Sequence, residues 1–210
     1  MLIQSDRSLA WSEVPDPAAK DGEALIEVHA AGLNRADLLQ RAGRYPPPPG
    51  WPSWPGLEVS GVVLDAPPNG RWRAGDRVCA LLGGGGYAER VAVPAALVLP
   101  LPAGLSLIEA AAVPEVFATA FLNLCLEGGL TAGQRVFIQA GASGVGMAAI
   151  QLAKELGASV VTSVGSEAKA RFVRELGADV VIHRKRERIA DVLAKHPVNL
   201  ALDCVAGPEL

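Results

Sequence analysis

Two periods of hydrophobic and polar residues divide the chain. In the first half, short runs alternate, as in ALIEVHAA at 24–31, where Ile26, Val28 and Ala30 share one face. Proline, glycine and aspartate separate these runs in PPNG, RAGD and GGGG. Short strands at this spacing are typical of an antiparallel barrel or sandwich. We therefore predict strands over 24–31, 58–66, 76–82 and 87–94.

From Val113 onwards, strand patterns alternate with helical ones. RVFIQA at 135–140 predicts a strand, and GVGMAAIQLAKELG then places apolar residues at helical spacing up to Gly157, a residue suited to end a helix. Further strands are predicted at 158–164, 179–183 and 198–205, and further helices at 166–176 and 187–196. This alternation predicts a parallel sheet with helices on both faces. The predicted domains are 1–112 and 113–210.

The segment RYPPPPGWPSWPG at 44–56 is predicted to be a long, shaped loop. Eight of its thirteen residues are proline or glycine, which argues against a regular helix or a central strand. Its aromatic side chains, Tyr45, Trp51 and Trp54, need a surface to cover or a ligand to bind.

Composition argues against several classes of function. The net charge of −3 over 210 residues gives no electrostatic reason to expect nucleic acid or an anionic membrane as a partner. No apolar run reaches the roughly 18 residues of a membrane span, and the first residues lack the profile of a signal peptide. The three cysteines and three histidines are scattered without metal-ligand spacing. We expect a cytoplasmic protein without a metal site.

The segment QAGASGVG joins a predicted strand to a predicted helix and allows two chemical interpretations. A nucleophilic serine on a sharp turn needs Gly-x-Ser-x-Gly, but Val145 stands where the second glycine is required. The dinucleotide fingerprint Gly-x-Gly-x-x-Gly fits better, because Gly141 and Gly146 keep its outer spacing and Ser143 takes the middle position. Gly141 is expected to permit the tight turn, while Gly144 and Gly146 remove side chains beside the pyrophosphate and the sheet. The helix start then binds the phosphates.

The end of the second parallel strand indicates which dinucleotide is bound. An NAD site usually carries a carboxylate there for the ribose 2′-hydroxyl, but this strand ends in SVGS. Lys169 follows in the next helix, and Arg184 follows the third strand, whose end opens on the same edge of the sheet. Two cations suit a 2′-phosphate, so we predict NADPH rather than NADH. The alternative is that HRKRER, which contains Arg184, is a solvated basic run.

The chain resembles the medium-chain dehydrogenase/reductase superfamily, and within it the zinc-free, NADPH-dependent quinone oxidoreductases. The resemblance rests on GLNRADLLQRAGRYPPPPG, PGLEVSGVV, AAAVPEVFATAFLNL, AGASGVGMAAIQLAKELGA and LDCVAG. It implies a fold of class α/β plus β, in which a GroES-like antiparallel β-barrel precedes a Rossmann domain and the active site lies in the cleft between them. Because the family's chains continue well beyond residue 210, we expect a C-terminally truncated chain with an incomplete Rossmann sheet.

The resemblance also implies the chemistry and the catalytic residues. Zinc-dependent relatives place metal ligands at the positions of Asn34, Leu57 and Glu115, none of which is a cysteine or histidine here. Without zinc, alcohol oxidation lacks its Lewis acid, whereas a quinone accepts hydride readily. Asn34 and Tyr45 are implied to lie beside the nicotinamide and the quinone, as donors to an oxygen that gains negative charge.

The glycine fingerprint and the resemblance together predict the cofactor-binding residues. They are Thr119, Gly141, Ser143, Gly144, Val145, Gly146, Gly165, Ser166, Lys169 and Arg184. The resemblance implies a small-molecule substrate, and it implies that full-length relatives are homodimeric. Two alternatives to quinone reduction stay open, namely an NADPH-dependent reductase of enals or enones, and a truncated remnant with a binding or structural role.

Overall fold

A computed structural model describes residues 1–205, and its contacts divide the chain into two compact units. Unit 1 comprises Met1–Glu115, and unit 2 begins at Val116. The boundary predicted after residue 112 falls just before this division. The predicted second domain extends to residue 210, so residues 206–210 of that domain lie outside the part of the chain that is described.

Unit 1 is built around a curled antiparallel sheet. Its elements are β1 (Leu2–Ile3), β2 (Leu9–Ala10), β3 (Glu23–Ala31), α1 (Arg35–Arg41), β4 (Glu58–Asp65), β5 (Arg77–Leu81), β6 (Arg90–Pro94), a 3₁₀ turn (Ala95–Leu97), β7 (Val98–Pro100) and α2 (Leu107–Ala110). Five strands pair in the order β6-β3-β4-β5-β7, and neighbours are antiparallel. Irregular pairing within β3, between Val28 and Ala30 for example, bends such a sheet. The half-barrel confirms the GroES-like part of the predicted fold class.

The core of unit 1 follows the predicted alternation along β3. Ala24 and Ile26 are fully buried, and Val28 packs against the same cluster, whereas Glu27 and His29 are exposed. The four strands predicted in this half are confirmed, with ends that differ by a few residues. The sequence did not predict β1, β2 and β7, because two or three residues are too few to display an alternation.

Unit 2 contains a parallel sheet with helices between its strands. Its elements are α3 (Pro114–Phe121, of which the first two residues belong to unit 1), a π-helical segment (Leu122–Glu127), β8 (Arg135–Ile138), α4 (Gly144–Glu155), β9 (Ser159–Val164), α5 (Glu167–Glu175), β10 (Val180–His183), α6 (Ile189–Lys195) and β11 (Leu200–Leu202). The strands pair in the order β10-β9-β8-β11, and all pairs are parallel. This is the order of the first four strands of the predicted doubly wound sheet, so the Rossmann part of the predicted fold class is confirmed.

Both faces of the parallel sheet are covered, as the strand pattern predicted. Val136 and Ile138 belong to a cluster that includes apolar residues of α4 and α5, such as Ile150 and Val173. Phe137 faces the other side, in a cluster with residues of β9, β10 and α6. The three predicted helices are confirmed as α4, α5 and α6. Within residues 1–205, no helix has the length and apolar content to cross a bilayer.

Candidate functional site

The turn between β8 and α4 approaches the sheet so closely that side chains are excluded from it. A Cβ on Gly141 would overlap with the Thr162 hydroxyl oxygen of β9, and a Cβ on Gly146 would lie 2.5 Å from the Ala140 carbonyl oxygen. The lack of room for a side chain at Gly141 is consistent with the expectation that this glycine permits the tight turn. The residue with a left-handed backbone is Ala140, at φ 54°, and glycine at 141 is required by its distance from Thr162.

Ser143 begins α4 as its N-cap residue. Its hydroxyl oxygen accepts a hydrogen bond from the backbone N–H of Gly146, at 3.1 Å. The absence of a side chain at Gly146 brings the helix start against the end of β8, and Gly144 faces Val116 of α3, whose Cγ1 would be 3.0 Å from an added Cβ. The strand, turn and helix N-terminus therefore have the arrangement that binds a pyrophosphate in dinucleotide-binding folds.

A cavity of about 200 Å³ opens at the carboxyl ends of the parallel strands. Its lining residues are Gln139, Ala140, Ala142, Ser143, Ser163, Val164, Gly165, Lys169, Arg184 and Val205. Four of the predicted cofactor-binding residues are therefore brought together here, from the glycine turn and from the ends of β9 and β10. A Cβ on Gly165 would lie 3.2 Å from the Arg184 Nε atom, so this glycine leaves space for the guanidinium group.

The charged side chains among the described residues that line this cavity are cations. Lys169 and Arg184 are its charged lining residues, and no carboxylate is among the residues of the described chain that line it. Ser166 caps α5 by accepting from the Lys169 N–H at 3.4 Å, so it fixes the start of the helix that carries the lysine. A cavity with this charge suits a phosphorylated ligand.

The other predicted cofactor-binding residues lie beside the cavity or apart from it. Val145 follows Gly144 in the first turn of α4, and neither residue lines the cavity. Thr119 lies half-buried in α3, where its carbonyl oxygen accepts from the side chain of Asn123 at 2.8 Å. For Thr119, a role in cofactor binding stays a prediction.

Asn34, a predicted catalytic residue, belongs to a buried polar cluster in unit 1. It precedes α1, and its Nδ2 donates to Glu58 Oε1 at 2.8 Å. Glu58 is 1% exposed, and its Oε2 accepts from the Glu115 backbone N–H at 2.9 Å. Gly32 is essential to this arrangement, because a Cβ there would overlap with the Glu58 side chain. The Asn34 amide is thus held by a buried carboxylate.

A second buried carboxylate adjoins this pair. Asp37 accepts from the Asn34 N–H at 2.7 Å, from the Tyr87 hydroxyl at 2.7 Å and from the Gly56 N–H at 3.2 Å. Burial raises the pKa of the Tyr87 hydroxyl, and the hydrogen bond that this hydroxyl donates to Asp37 raises the pKa further. Burial also raises the pKa of Glu58, although the hydrogen bonds from Glu115 and Asn34 oppose that shift.

Sequence reasoning missed Glu58, Asp37 and Tyr87 as members of this cluster. The available signal was Glu58 itself, a charged residue at the head of the apolar run EVSGVV. A charge in a buried strand needs partners, but the sequence does not say which residues supply them.

The three aromatic residues of the proline-rich loop differ in surroundings. Tyr45 is 42% exposed. Trp51 packs on the unit 1 core and contacts Gly83, whereas Trp54 donates from its indole nitrogen to the Gly85 carbonyl at 3.0 Å. Trp54 also lines a cavity of about 580 Å³ whose lining does not include Tyr45. The loop therefore uses two of its indoles to hold the glycine-rich segment after β5.

The positions that hold zinc ligands in zinc-dependent relatives carry other chemistry here. Asn34 and Glu115 take part in the Glu58 hydrogen bonds, and Leu57 is a buried apolar side chain with no ligating atom. Over residues 1–205, no group of three or more histidine, cysteine, aspartate or glutamate side chains is arranged to hold a metal ion.

Comparisons with known proteins identify the family of both halves of the chain. The model of the alcohol dehydrogenase GroES-like domain matches residues 20–103, and that of the zinc-binding dehydrogenases matches residues 144–210. A quinone oxidoreductase-like protein 2 homolog from Nematostella vectensis is 33% identical over 188 residues, which are 87% of this chain and 52% of the relative. The chain thus spans about half the length of this curated relative.

Two solved structures are similar in both sequence and fold. The quinone oxidoreductase of Thermus thermophilus, solved also in complex with NADPH, is 38% identical with a TM-score of 0.77, over 94% of this chain and 63% of that one. The CurK enoyl reductase is 28% identical with a TM-score of 0.80, over 93% of this chain and 62% of that one.

Proposed function

Because the chain belongs to the medium-chain dehydrogenase/reductase superfamily, we propose that it serves the NADPH-dependent reduction of a quinone. One observation carries the proposal. The cavity at the carboxyl ends of β8, β9 and β10 joins the glycine turn at Ser143 to the two cations Lys169 and Arg184. The similarity to a quinone oxidoreductase solved with NADPH supports the same substrate and cofactor.

The residues of unit 2 fit a dinucleotide with a 2′-phosphate. The start of α4 and the turn before it bind the pyrophosphate, since their N–H groups and helix dipole favour an anion. Lys169 and Arg184 bind the 2′-phosphate, and the second parallel strand ends without the carboxylate that would read a free 2′-hydroxyl. When bound, NADPH supplies the hydride for the reduction.

Asn34 and Tyr45 are the proposed catalytic residues. Each carries a donor for a hydrogen bond to a quinone oxygen that gains negative charge. Glu58 fixes the Asn34 amide through Nδ2, so that the amide keeps one orientation while the acceptor binds. We propose reduction without zinc, because Leu57 offers no metal-ligating atom and the Asn34 amide is engaged with Glu58.

Titration with both dinucleotides tests the cofactor assignment. We expect tighter binding of NADPH than of NADH, and we expect Lys169→Ala and Arg184→Ala each to weaken NADPH binding by about ten- to a hundredfold, with little effect on NADH. Lys185→Ala is the matched control, because Lys185 adjoins Arg184 in the chain but does not line the cavity. Tighter binding of NADH by the unaltered protein, or an equal loss in all three variants, would refute the assignment.

Reduction of an enal or enone is the second candidate, and the similarity to the CurK enoyl reductase favours it. Assays with NADPH and either a quinone or an enone as acceptor separate the two activities. If the protein binds no NADPH at all, the remaining interpretation is a non-enzymatic binding or structural role. We propose a cytoplasmic protein with a small-molecule substrate.

A further inference from the structure

Gln139 is a buried polar side chain whose acceptor atom has no partner. It follows β8 and is 4% exposed. Its Oε1 atom is fully buried and accepts no hydrogen bond within residues 1–205. Most buried polar atoms in folded proteins are hydrogen-bonded, because an unsatisfied one loses its hydration without compensation. An exception of this kind needs an explanation.

The backbone around Gln139 is held from both sides. The Gln139 N–H donates to the Leu202 carbonyl of β11 at 2.9 Å, and the Ala140 N–H donates to the Ser163 hydroxyl oxygen of β9 at 3.2 Å. Both Gln139 and Ser163 line the 200 Å³ cavity together with Gly165, Lys169 and Arg184. The backbone that carries Gln139 is therefore fixed in the wall of the cavity that the proposed function assigns to the cofactor.

We infer that Gln139 is a further cofactor-binding residue, and that its Oε1 accepts a hydrogen bond from the adenosine half of the dinucleotide. The inference rests on the proposed function. A carbonyl oxygen needs a donor, and the ionised oxygens of pyrophosphate and of a 2′-phosphate carry no hydrogen. In the adenosine half of the ligand, the donors are the ribose hydroxyl and the adenine amino group. The cavity reaches the ends of β9 and β10, which is the adenosine side of a doubly wound sheet.

The inference predicts opposite effects on stability and on binding. Methionine at position 139 keeps a similar shape but removes the unsatisfied oxygen, so the ligand-free protein gains stability. The same change removes the acceptor that the ligand uses, so binding weakens. A glutamine with a purely structural role gives the reverse stability effect and no change in affinity.

The experiment compares Gln139→Met with the unaltered protein by thermal unfolding and by calorimetric titration. The probes are NADPH, adenosine 2′,5′-bisphosphate and inorganic pyrophosphate. We expect the ligand-free melting temperature to rise by about 2–8 °C. We expect the dissociation constants of NADPH and of the adenosine bisphosphate to rise about five- to fiftyfold, and that of pyrophosphate to stay unchanged. Gln151→Met is the control, because Gln151 is exposed on α4 and bonds its own helix at the Met147 carbonyl.

Each other outcome overturns the inference. A lower melting temperature or failure to fold shows that the Gln139 amide stabilises the empty protein. Unchanged affinity for both nucleotides, while the unaltered protein binds NADPH, overturns this inference alone. Weaker binding of pyrophosphate as well shows that the amide donates to phosphate instead of accepting. If the unaltered protein binds no NADPH, the proposed function fails first, and the inference fails with it.

Discussion

Replacing Gly146 with alanine tests whether the glycine turn is as tightly built as a dinucleotide site requires. A Cβ on Gly146 would lie 2.5 Å from the Ala140 carbonyl oxygen, and 2.8 Å and 2.9 Å from the Cα and C atoms of Gly141. All three are backbone atoms of the turn, so no side-chain rotation relieves the overlap. The turn and the first residues of α4 must therefore move apart.

The size of the effect follows from two opposing contributions. Non-bonded carbon atoms prefer separations of about 3.5–4.0 Å, so the two contacts with Gly141 would be too short by roughly 1 Å. Overpacking of a rigid site costs about 1–3 kcal/mol, and three backbone contacts place Gly146→Ala near the upper end. Alanine regains about 1 kcal/mol over glycine within a helix. The expected net loss in the free energy of unfolding is about 2 kcal/mol.

The assay is urea unfolding followed by far-ultraviolet circular dichroism, with an NADPH titration of the folded protein. Gly144→Ala is the matched control two positions earlier, because its Cβ would meet only the Val116 Cγ1 atom, at 3.0 Å. That methyl group can shift, so we expect the free energy of unfolding of Gly144→Ala to lie within about 0.5 kcal/mol of that of the unaltered protein. We expect Gly146→Ala also to weaken NADPH binding, since the moved turn no longer fits the pyrophosphate. Equal stability of the two variants would refute this reasoning.

Two further predictions concern Ser143 and Glu58. Ser143→Ala removes the oxygen that accepts from the Gly146 N–H, so we expect the free energy of unfolding, measured with urea, to fall by about 1 kcal/mol. For Ser143→Gly we expect it to fall by only a few tenths of a kcal/mol. An equal loss in both variants would contradict the capping role. Burial raises the Glu58 pKa above its ordinary 4.5, so the folded state holds the proton more tightly than the unfolded state. Its contribution to stability is present below pH 4.5 and is lost as the pH rises through the folded-state pKa. The free energy of unfolding of the unaltered protein, measured relative to that of Glu58→Gln, should therefore fall as the pH rises over that range. A difference between the two proteins that does not change with pH would contradict the raised pKa of Glu58.

The sequence predicted the longer elements well because their periodicity is local. β3, for example, alternates in burial along most of its nine residues, α5 places Ala170 and Val173 on one buried face, and both elements were confirmed. α1 was not predicted, because its seven residues RADLLQR give barely two turns and their side chains are mostly polar. Elements of that length are stabilised by contacts from elsewhere in the chain, such as the bond from the Gln40 side chain to the Ser53 carbonyl.

The candidate site was only partly accessible from sequence. The cavity unites Ser143 and Lys169 because parallel strands end at one edge, and that follows from the order of strands and helices. The Asp37–Tyr87 hydrogen bond joins residues fifty positions apart, and the Glu58–Asn34 bond spans twenty-four. Such pairs depend on how the curled sheet folds, which no short pattern records. The left-handed backbone at Ala140 was likewise not predicted, because residues other than glycine rarely adopt that conformation.

Ala140 has a consequence for how this protein would respond to selection. A left-handed backbone at a residue other than glycine is energetically unfavourable, and here it stands beside the unsatisfied Gln139 oxygen. Variants chosen for heat resistance would tend to accumulate glycine at 140 or an apolar side chain at 139. Variants selected for growth when NADPH is scarce would keep both residues unaltered. A library screened under the two regimes would diverge first at this pair of adjacent positions.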